Sequence, residues 1–431
     1  MKRPGKWCTS WRSRDTRPAW TPPGRVPAAI VGAVRVAAVR AAAVLVGHLL
    51  IVVAPAHAVS PVHLDAHVGV LTAGSRVTGM GGAACAIAEG VDSELINPAA
   101  VATRPAAFAD EWFDWDFGVT ALSTLGGSID LDRSGIPSHN VSQTAQQFGV
   151  RLSFGAFAIS VQARDQTFLR SVVDDQDVQH GYSFQSHYGG IGLGWVFARG
   201  ALVVGTVLGF GVATLTDLES KTAINYGSTF APRSFGVLWA PRDRKFRAGA
   251  ALQLPVTSTQ ERAEAYTGNK VTALGELPAA ASVQFGGSLT LGAAFQLLGH
   301  RGNHDVTFGE VAPARRVWAG PPVIVASDVV LYAPVGDGSG VAGYLSGVPE
   351  RAGARWNLGL RAGVESEVLE RRLRVRTGSY WEPSRYERVG RLHWTGGADV
   401  RVSLWLDWRV GVVWDLAPQY NNASFSFGLW H

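Results

Sequence analysis

The chain has 431 residues, 47% of them hydrophobic, with 51 glycines, 15 tryptophans and two cysteines, and a formal charge of +5 from 39 basic and 34 acidic side chains. Nine of those basic residues and one acidic residue fall within residues 1–58, which leaves 30 against 33 in the other 373 and a formal charge of −3 there. The basic excess is confined to a leader and gives no argument for nucleic-acid binding. Cys85, alone once the leader is set aside, excludes an intramolecular disulfide.

Residues 1–58 read as an export signal. Lys and Arg crowd Lys2 to Arg40, an apolar run covers Ala41 to Ala56, and Ala56-His57-Ala58 fits a small-x-small cleavage site. The apolar run falls short of the ~18 residues of a membrane helix and contains Gly47 and His48. No later segment has the length of a membrane helix, so a closed barrel is the remaining way for the chain to cross a membrane.

Gly74 to Ala102 follows, reading GSRVTGMGGAACAIAEGVDSELINPAAVA. Gly79, Gly81 and Gly82 permit positive φ and close approach of another backbone. Met80 is the only methionine beyond the leader, and Cys85 sits among alanines as a small packing residue. Asn97 can hydrogen-bond its own turn, and Pro98 fixes the chain leaving it.

Beyond this segment the period is two. Trp112–Leu122 opens it, with Trp112, Phe113 and Trp115 set as an interfacial girdle among Asp110, Glu111, Asp114 and Asp116. Residues 148–164 predict a hairpin turning at Gly155-Ala156. Phe148, Val150, Leu152 and Phe154, then Phe157, Ile159 and Val161, share an apolar face; Arg151, Ser153, Ser160, Gln162 and Arg164 lie opposite. Further strands are expected at Ser183–Phe197, Ala201–Leu215, Arg233–Ala240, Phe246–Pro255, Ala281–Leu291, Val323–Ala333, Arg355–Glu365 and Leu392–Asp399. Alternation then runs from Val400 to Trp414, and Asn421–Trp430 comes last. Charges on the polar parity, Arg372, Arg374, Arg376, Arg401, Asp407 and Arg409, would be costly facing lipid and are placed in the lumen. The arginines are expected to pair with acids such as Asp399 and Asp407. The long connectors are Thr124–Thr144, Asp165–Tyr182, Thr257–Leu277 and Leu298–Ala319, expected on one side with short turns on the other.

The pattern predicts an all-β chain, a transmembrane antiparallel β-barrel of about 14 strands. A soluble sandwich also alternates, but the number of segments and the export signal favour the barrel. His300 and His304 lie in a loop rather than on a zincin helix, and Asp174, Asp175 and Asp177 read as a solvated loop. No catalytic, metal or nucleotide motif appears, so the reading is a non-enzyme with no cofactor.

Ser75-Arg76, Gly79-Met80-Gly81-Gly82-Ala83 and Asn97-Pro98-Ala99 resemble the mature N-terminus of the FadL-type outer-membrane channels for long-chain fatty acids and other hydrophobic compounds. Glu89-Gly90 replaces the family's acidic pair and Ala100 its last glycine. Leu373–Glu387 and Arg244–Val256 resemble strands of the same family, and the final Phe-rich strand resembles a signal read by the barrel-assembly machinery. The resemblance implies a signal at 1–58, a hatch or plug at 59–109 bearing Gly79, Met80, Gly81, Gly82, Asn97 and Pro98, and a barrel at 110–431. It implies an outer-membrane location among lipid and lipopolysaccharide. A hydrophobic ligand would be held in a greasy pocket against the hatch and released by a small hatch movement. Relatives of this fold also serve as accessory subunits in protein secretion, which is the alternative.

Overall fold

The computed structural model describes residues 62–67, 73–103, 112–126, 129–131, 133–135, 137, 140–173, 179–241, 245–260, 273–298, 323–369, 372–386, 388–402 and 408–429. A short strand β1 (His63–Asp65), two brief helices α1 (Ser75–Gly79) and α2 (Gly90–Ser93) and a 3-10 turn at Pro98–Ala102 precede the barrel. The wall follows as β2 (Phe113–Thr124), β3 (Val141–Phe154), β4 (Phe157–Val173), β5 (Gln179–Phe197) and β6 (Leu202–Asp217). The next three staves are each interrupted: β7 (Ala223–Gly227) with β8 (Ala231–Trp239), β9 (Phe246–Gln253) with β10 (Val256–Gln260), and β13 (Ser282–Phe285) with β14 (Ser288–Leu298). A tiny hairpin, β11 (Ala273–Leu274) and β12 (Leu277–Pro278), lies between the last two. Then come β15 (Val323–Tyr332), β16 (Gly338–Gly340), α3 (Val341–Leu345), β17 (Arg351–Ala352), β18 (Asn357–Leu369), β19 (Leu373–Glu382), β20 (Arg391–Arg401), β21 (Trp408–Ala417) and β22 (Tyr420–Leu429). Antiparallel pairing of β2 with β22 closes a 14-strand barrel.

Every long strand solves the same problem. Its backbone groups pair with neighbours, so its two faces are free to meet different surroundings. Val161 is 54% exposed on the outside, whereas the next residue, Gln162, is 3% exposed in the lumen. The outer face carries Phe148, Leu291, Phe295, Leu360 and Phe425. Aromatic pairs mark the short-turn end: Trp112 with Phe154 at 5.8 Å, Phe157 with Trp195 at 5.3 Å, and Trp239 with Phe246 at 6.0 Å. That is an interfacial girdle.

Three expectations change. The alternation from Val400 to Trp414 belongs to two strands, β20 and β21, with Val400 opposite Val410. Strands β3, β4 and β5 reach to Val141, Val173 and Gln179, into stretches expected to be loop. The connection leaving β14 at Leu298 for β15 at Val323 departs from the short-turn end, not from the end with the other long connectors. Asp174, Asp175, Asp177, His300 and His304 lie outside the described residues. Among the described residues, no helix is long and apolar enough to cross a membrane.

Val161→Arg places a cation near the middle of the outer belt. It should cost about 2–4 kcal/mol, seen as a lower denaturant midpoint and a weaker heat-modifiable band for the barrel refolded in lipid.

Candidate functional site

The hatch fills the lower lumen because its composition lets backbone meet backbone. Gly81 and Gly82 adopt φ of +62° and +76°, reserved in practice for glycine, and turn the chain between α1 and the alanine run. Gly79 is helical, without positive φ; its role is close approach, since a Cβ there would lie 3.3 Å from Cβ of Arg376. Met80 is fully buried among Val77, Ala83 and Ala326. Asn97 is fully buried and satisfied: Nδ2 donates to Cys85 O (2.8 Å) and Val237 O (3.1 Å), and Oδ1 accepts from Ala99 N (3.0 Å). Pro98 opens the 3-10 turn.

The wall answers with glycines of its own. Gly205 and Gly236 are paired across β6 and β8, and any Cβ on them would collide with Pro98 and Asn97. Gly249 and Gly292, paired across β9 and β14, do the same for Cys85 and Ala86. Gly363 and Gly378, paired across β18 and β19, receive Met80.

A ladder of alternating charge holds the two parts together. Arg247 of β9 meets Glu89 of the hatch at 3.0 Å, and Glu89 meets Arg76 at 2.7 Å. Arg76 then grips Glu365 of β18 with two bonds, Nη2 at 3.0 Å and Nε at 3.1 Å. Arg376 bridges Glu365 (2.6 Å) and Asp399 (2.8 Å). Arg409 joins Asp399 (3.3 Å) to Asp92 at the far side of the hatch. Ser75 Oγ donates to Asp399 at 2.8 Å, and Thr395 Oγ1 donates to Gly79 O at 3.0 Å. Asp328 Oδ2 accepts from Ala84 N and Cys85 N (3.0 and 2.9 Å), and Asp116 accepts from Val91 N (2.9 Å). Burial works to raise the Glu89 carboxyl, but Arg76 and Arg247 outweigh it and hold it at about 2.

Of the lumen charges expected from sequence, Arg376 and Arg409 are therefore rungs of this ladder. Arg374 pairs with Glu367 at 3.2 Å. Arg372 and Arg401 meet at the short-turn end, where Arg401 N donates to Arg372 O, and are not rungs. Asp407 lies outside the described residues. Glu365, Asp328, Glu89 and Asp92 were missed; polar parity on a strand was their only signal, and for Glu89 and Asp92 not even that.

Above the hatch lies a cavity of about 170 Å³. Leu95, Ile96 and Glu94 line it from the hatch; Gln162, Arg164, Tyr188, Gln253, Tyr332 and Arg361 line it from the wall, with His67 and Glu382. The space against the hatch is thus predominantly polar, not the greasy pocket expected. Arg361 donates to Tyr332 Oη at 3.0 Å, and Arg164 stands 6.0 Å from the Tyr188 ring. Neither guanidinium has a carboxylate within ion-pair distance among the described residues. Glu94 Oε1 accepts from Ser160 Oγ (2.7 Å) and Gln162 Nε2 (3.1 Å), while Oε2 is buried without a partner. Burial pushes Glu94 up to about 7; Ser160 and Arg151 pull it down and Asp116 pushes it further up.

No family model and no curated protein sequence matches the chain. Solved structures do. A Pseudomonas aeruginosa FadL homologue superposes with a TM-score of 0.50 at 10% identity, covering 83% of this chain and 98% of that one. The Ralstonia pickettii toluene transporter TbuX gives 0.47 at 13% identity, with 83% and 98% covered. The P. putida toluene transporter TodX gives 0.45 at 12%, with 82% and 97% covered. On the first of these, the fold is FadL-type.

Arg376→Ala leaves Glu365 to Arg76 and Asp399 to Arg409 and Ser75, with one buried negative charge of the ladder uncompensated. It should cost about 3–5 kcal/mol and expose the hatch to protease while the heat-modifiable barrel persists. The Glu94 carboxyl gives a pH dependence of opposite sign to the usual acid effect. With its closed-state value raised from 4.5 to about 7, hatch stability is fully present below pH 4.5 and declines as pH rises to about 7. The loss is about 3 kcal/mol, read as protease susceptibility of the hatch at pH 5 against pH 8; Glu94→Gln should flatten it.

Proposed function

We propose that this chain is an outer-membrane channel for passive uptake of hydrophobic compounds, and that its substrates carry a carboxylate, as long-chain fatty acids do. An apolar outer belt around a polar lumen suits a barrel set in lipid, and the export signal read from the sequence would deliver it there. The observation that supports the substrate class is the cavity above the hatch, lined by Arg164 and Arg361 together with Glu94 and Glu382, where neither guanidinium has a carboxylate within ion-pair distance among the described residues. A guanidinium offers a planar fork of donors suited to a carboxylate.

In this reading the acyl chain is captured at the long-loop end, away from lipopolysaccharide. Its head descends to the two arginines, and Glu94 to Ile96 form the floor that must move for release. Passive flow needs no energy source beyond the gradient. The floor is fixed by hydrogen bonds at Glu94 and Asn97, so a shift of this corner leaves the ladder intact.

Cells lacking their own transporter and expressing this chain should take up labelled long-chain fatty acid above the empty vector. Arg164→Ala should lower that uptake about tenfold, the worth of one charge-assisted hydrogen bond, and leave uptake of a neutral hydrocarbon of equal length unchanged. Equal loss of both substrates would sink the carboxylate assignment. A folded barrel that takes up neither would sink the channel.

A further inference from the structure

Among the described residues, two carboxyl groups line the cavity above the hatch, and the fold treats them differently. Glu382 is committed: its Oε2 lies 2.6 Å from Arg391 Nε and 3.0 Å from His393 Nε2. Glu94 has no cation within ion-pair distance among the described residues. Its two partners are neutral, Ser160 Oγ at 2.7 Å and Gln162 Nε2 at 3.1 Å, and both meet Oε1. Oε2 is buried with no partner, on a residue only 1% exposed. An ionised carboxylate so placed forgoes the counter-charge and hydrogen bonds that burial demands, whereas a protonated one needs a single acceptor for its O–H.

The charged and titratable groups around Glu94 are engaged already or stand in the cavity lining. Burial pushes the Glu94 carboxyl up to about 7. Arg151 of β3, which favours the ionised form, is held by Asp114 at 2.5 Å, and Asp116 of β2, which opposes it, accepts from Val91 N. His67 is pushed below its usual value by burial and by Arg385, so it brings no charge near neutral pH. The lining phenols, Tyr188, Tyr332 and Tyr380, are neutral there too. On β4, Gln162 and Arg164 share the inward face two residues apart, about 7 Å along the strand, and Tyr188 stands opposite Arg164. The side chain that holds Glu94 thus adjoins one guanidinium of the cavity, and Arg361 supplies the other.

We propose that the ligand's carboxylate is held in this cavity by three arms, Arg164, Arg361 and the protonated carboxyl of Glu94, so that capture takes up a proton. The proposal rests on the carboxylate reading of the same cavity. Two carboxyl groups brought together do not both stay ionised, and here the arginines make the ligand the ionised member. Glu94 Oε2–H then donates to the acceptor that arrives. The balance is one proton, bound from solvent by Glu94 when the ligand enters above pH 7 and returned when it leaves. Closure of the hatch favours the same protonated form, so loss of that proton repels the head and loosens the floor together.

The test measures octanoate binding to the full chain refolded in detergent, with folding checked by heat-modifiable migration at each pH and octanol as the uncharged comparison. Octanoate should bind about tenfold more weakly at pH 8 than at pH 6. Titration calorimetry at pH 8, in phosphate and in Tris, should show uptake approaching one proton per ligand. Glu94→Gln keeps a donor and cannot ionise, so its affinity should be level across this range with no proton taken up; Glu94→Ala should be equally level but weaker. Octanol binding should not change with pH. A wild-type affinity that is level from pH 6 to pH 8 overturns the proposal, as does a slope that survives in Glu94→Gln. A slope shared by octanol traces to the fit of the floor and overturns it too, and so does a chain that binds no octanoate at either pH. Binding with the Glu94-dependent slope in a chain without cellular uptake would sustain this site and reject the channel; uptake without the slope would keep the channel and reject the third arm.

Discussion

The charge ladder between hatch and wall is the interaction on which the rest of the lumen depends. A membrane barrel turns a soluble protein inside out: its apolar side chains are claimed by the outer face, so the interior must be filled with polar groups that satisfy one another. Here the wall supplies Arg247, Glu365, Arg376, Asp399 and Arg409, and the hatch supplies Arg76, Glu89 and Asp92. Three arginines against two acids meet one arginine against two acids. Neither part is neutral alone along this line, and together they are. Buried ion pairs do little to raise stability but penalise any break heavily, so the ladder works as a specification of where the hatch must sit.

The paired glycines make that placement possible. A ladder of side chains 2.6–3.3 Å apart requires the two backbones to approach closely, and inward Cβ atoms on Gly236, Gly249 or Gly363 would hold the hatch away. The polar cavity and the apolar mouth then follow as leftover space. What the hatch does not fill remains lined by wall residues of polar parity. Where strands rise above the belt and loops fold over, apolar residues return to the inside, as at Phe168, Phe184 and Leu215.

The barrel was largely legible because a two-residue period is local and is enforced at every strand by the difference between lipid and lumen. The same locality explains the errors. Val400 and Trp408 share parity, so a turn between them left the alternation unbroken. The ends of β3 and β4 carry Ser142, Thr144, Gln146 and Asp165 on the outside, because above the belt the outer face is wet and the apolar residues turn inward, so the outward apolar period stops. The hatch motif was legible through glycine and Asn97, whose demands are also local, and the Asn97 turn formed as read. Its partners were not. Arg76 finds Glu365 289 positions away and Ser75 finds Asp399 324 away; nothing in either segment names the other. The expected greasy pocket failed for a different reason: it was implied by a resemblance in the hatch, while the cavity is lined chiefly by wall strands.

Among the described residues, the closing seam between β2 and β22 is shorter than β2: β2 pairs with β3 from Phe113 onward and with β22 from Gly118. Below that point α2 takes over: Asp116 of β2 accepts from Val91, and Asp92 meets Arg409, whose Nε donates to Leu429 O at the end of β22. The hatch is thus a splint across the join. The first and last staves are fastened twice, edge to edge above and through the hatch below. A hatch that left the lumen would remove the lower of these two fastenings and leave the edge-to-edge pairing from Gly118 to Thr124 to hold the join alone.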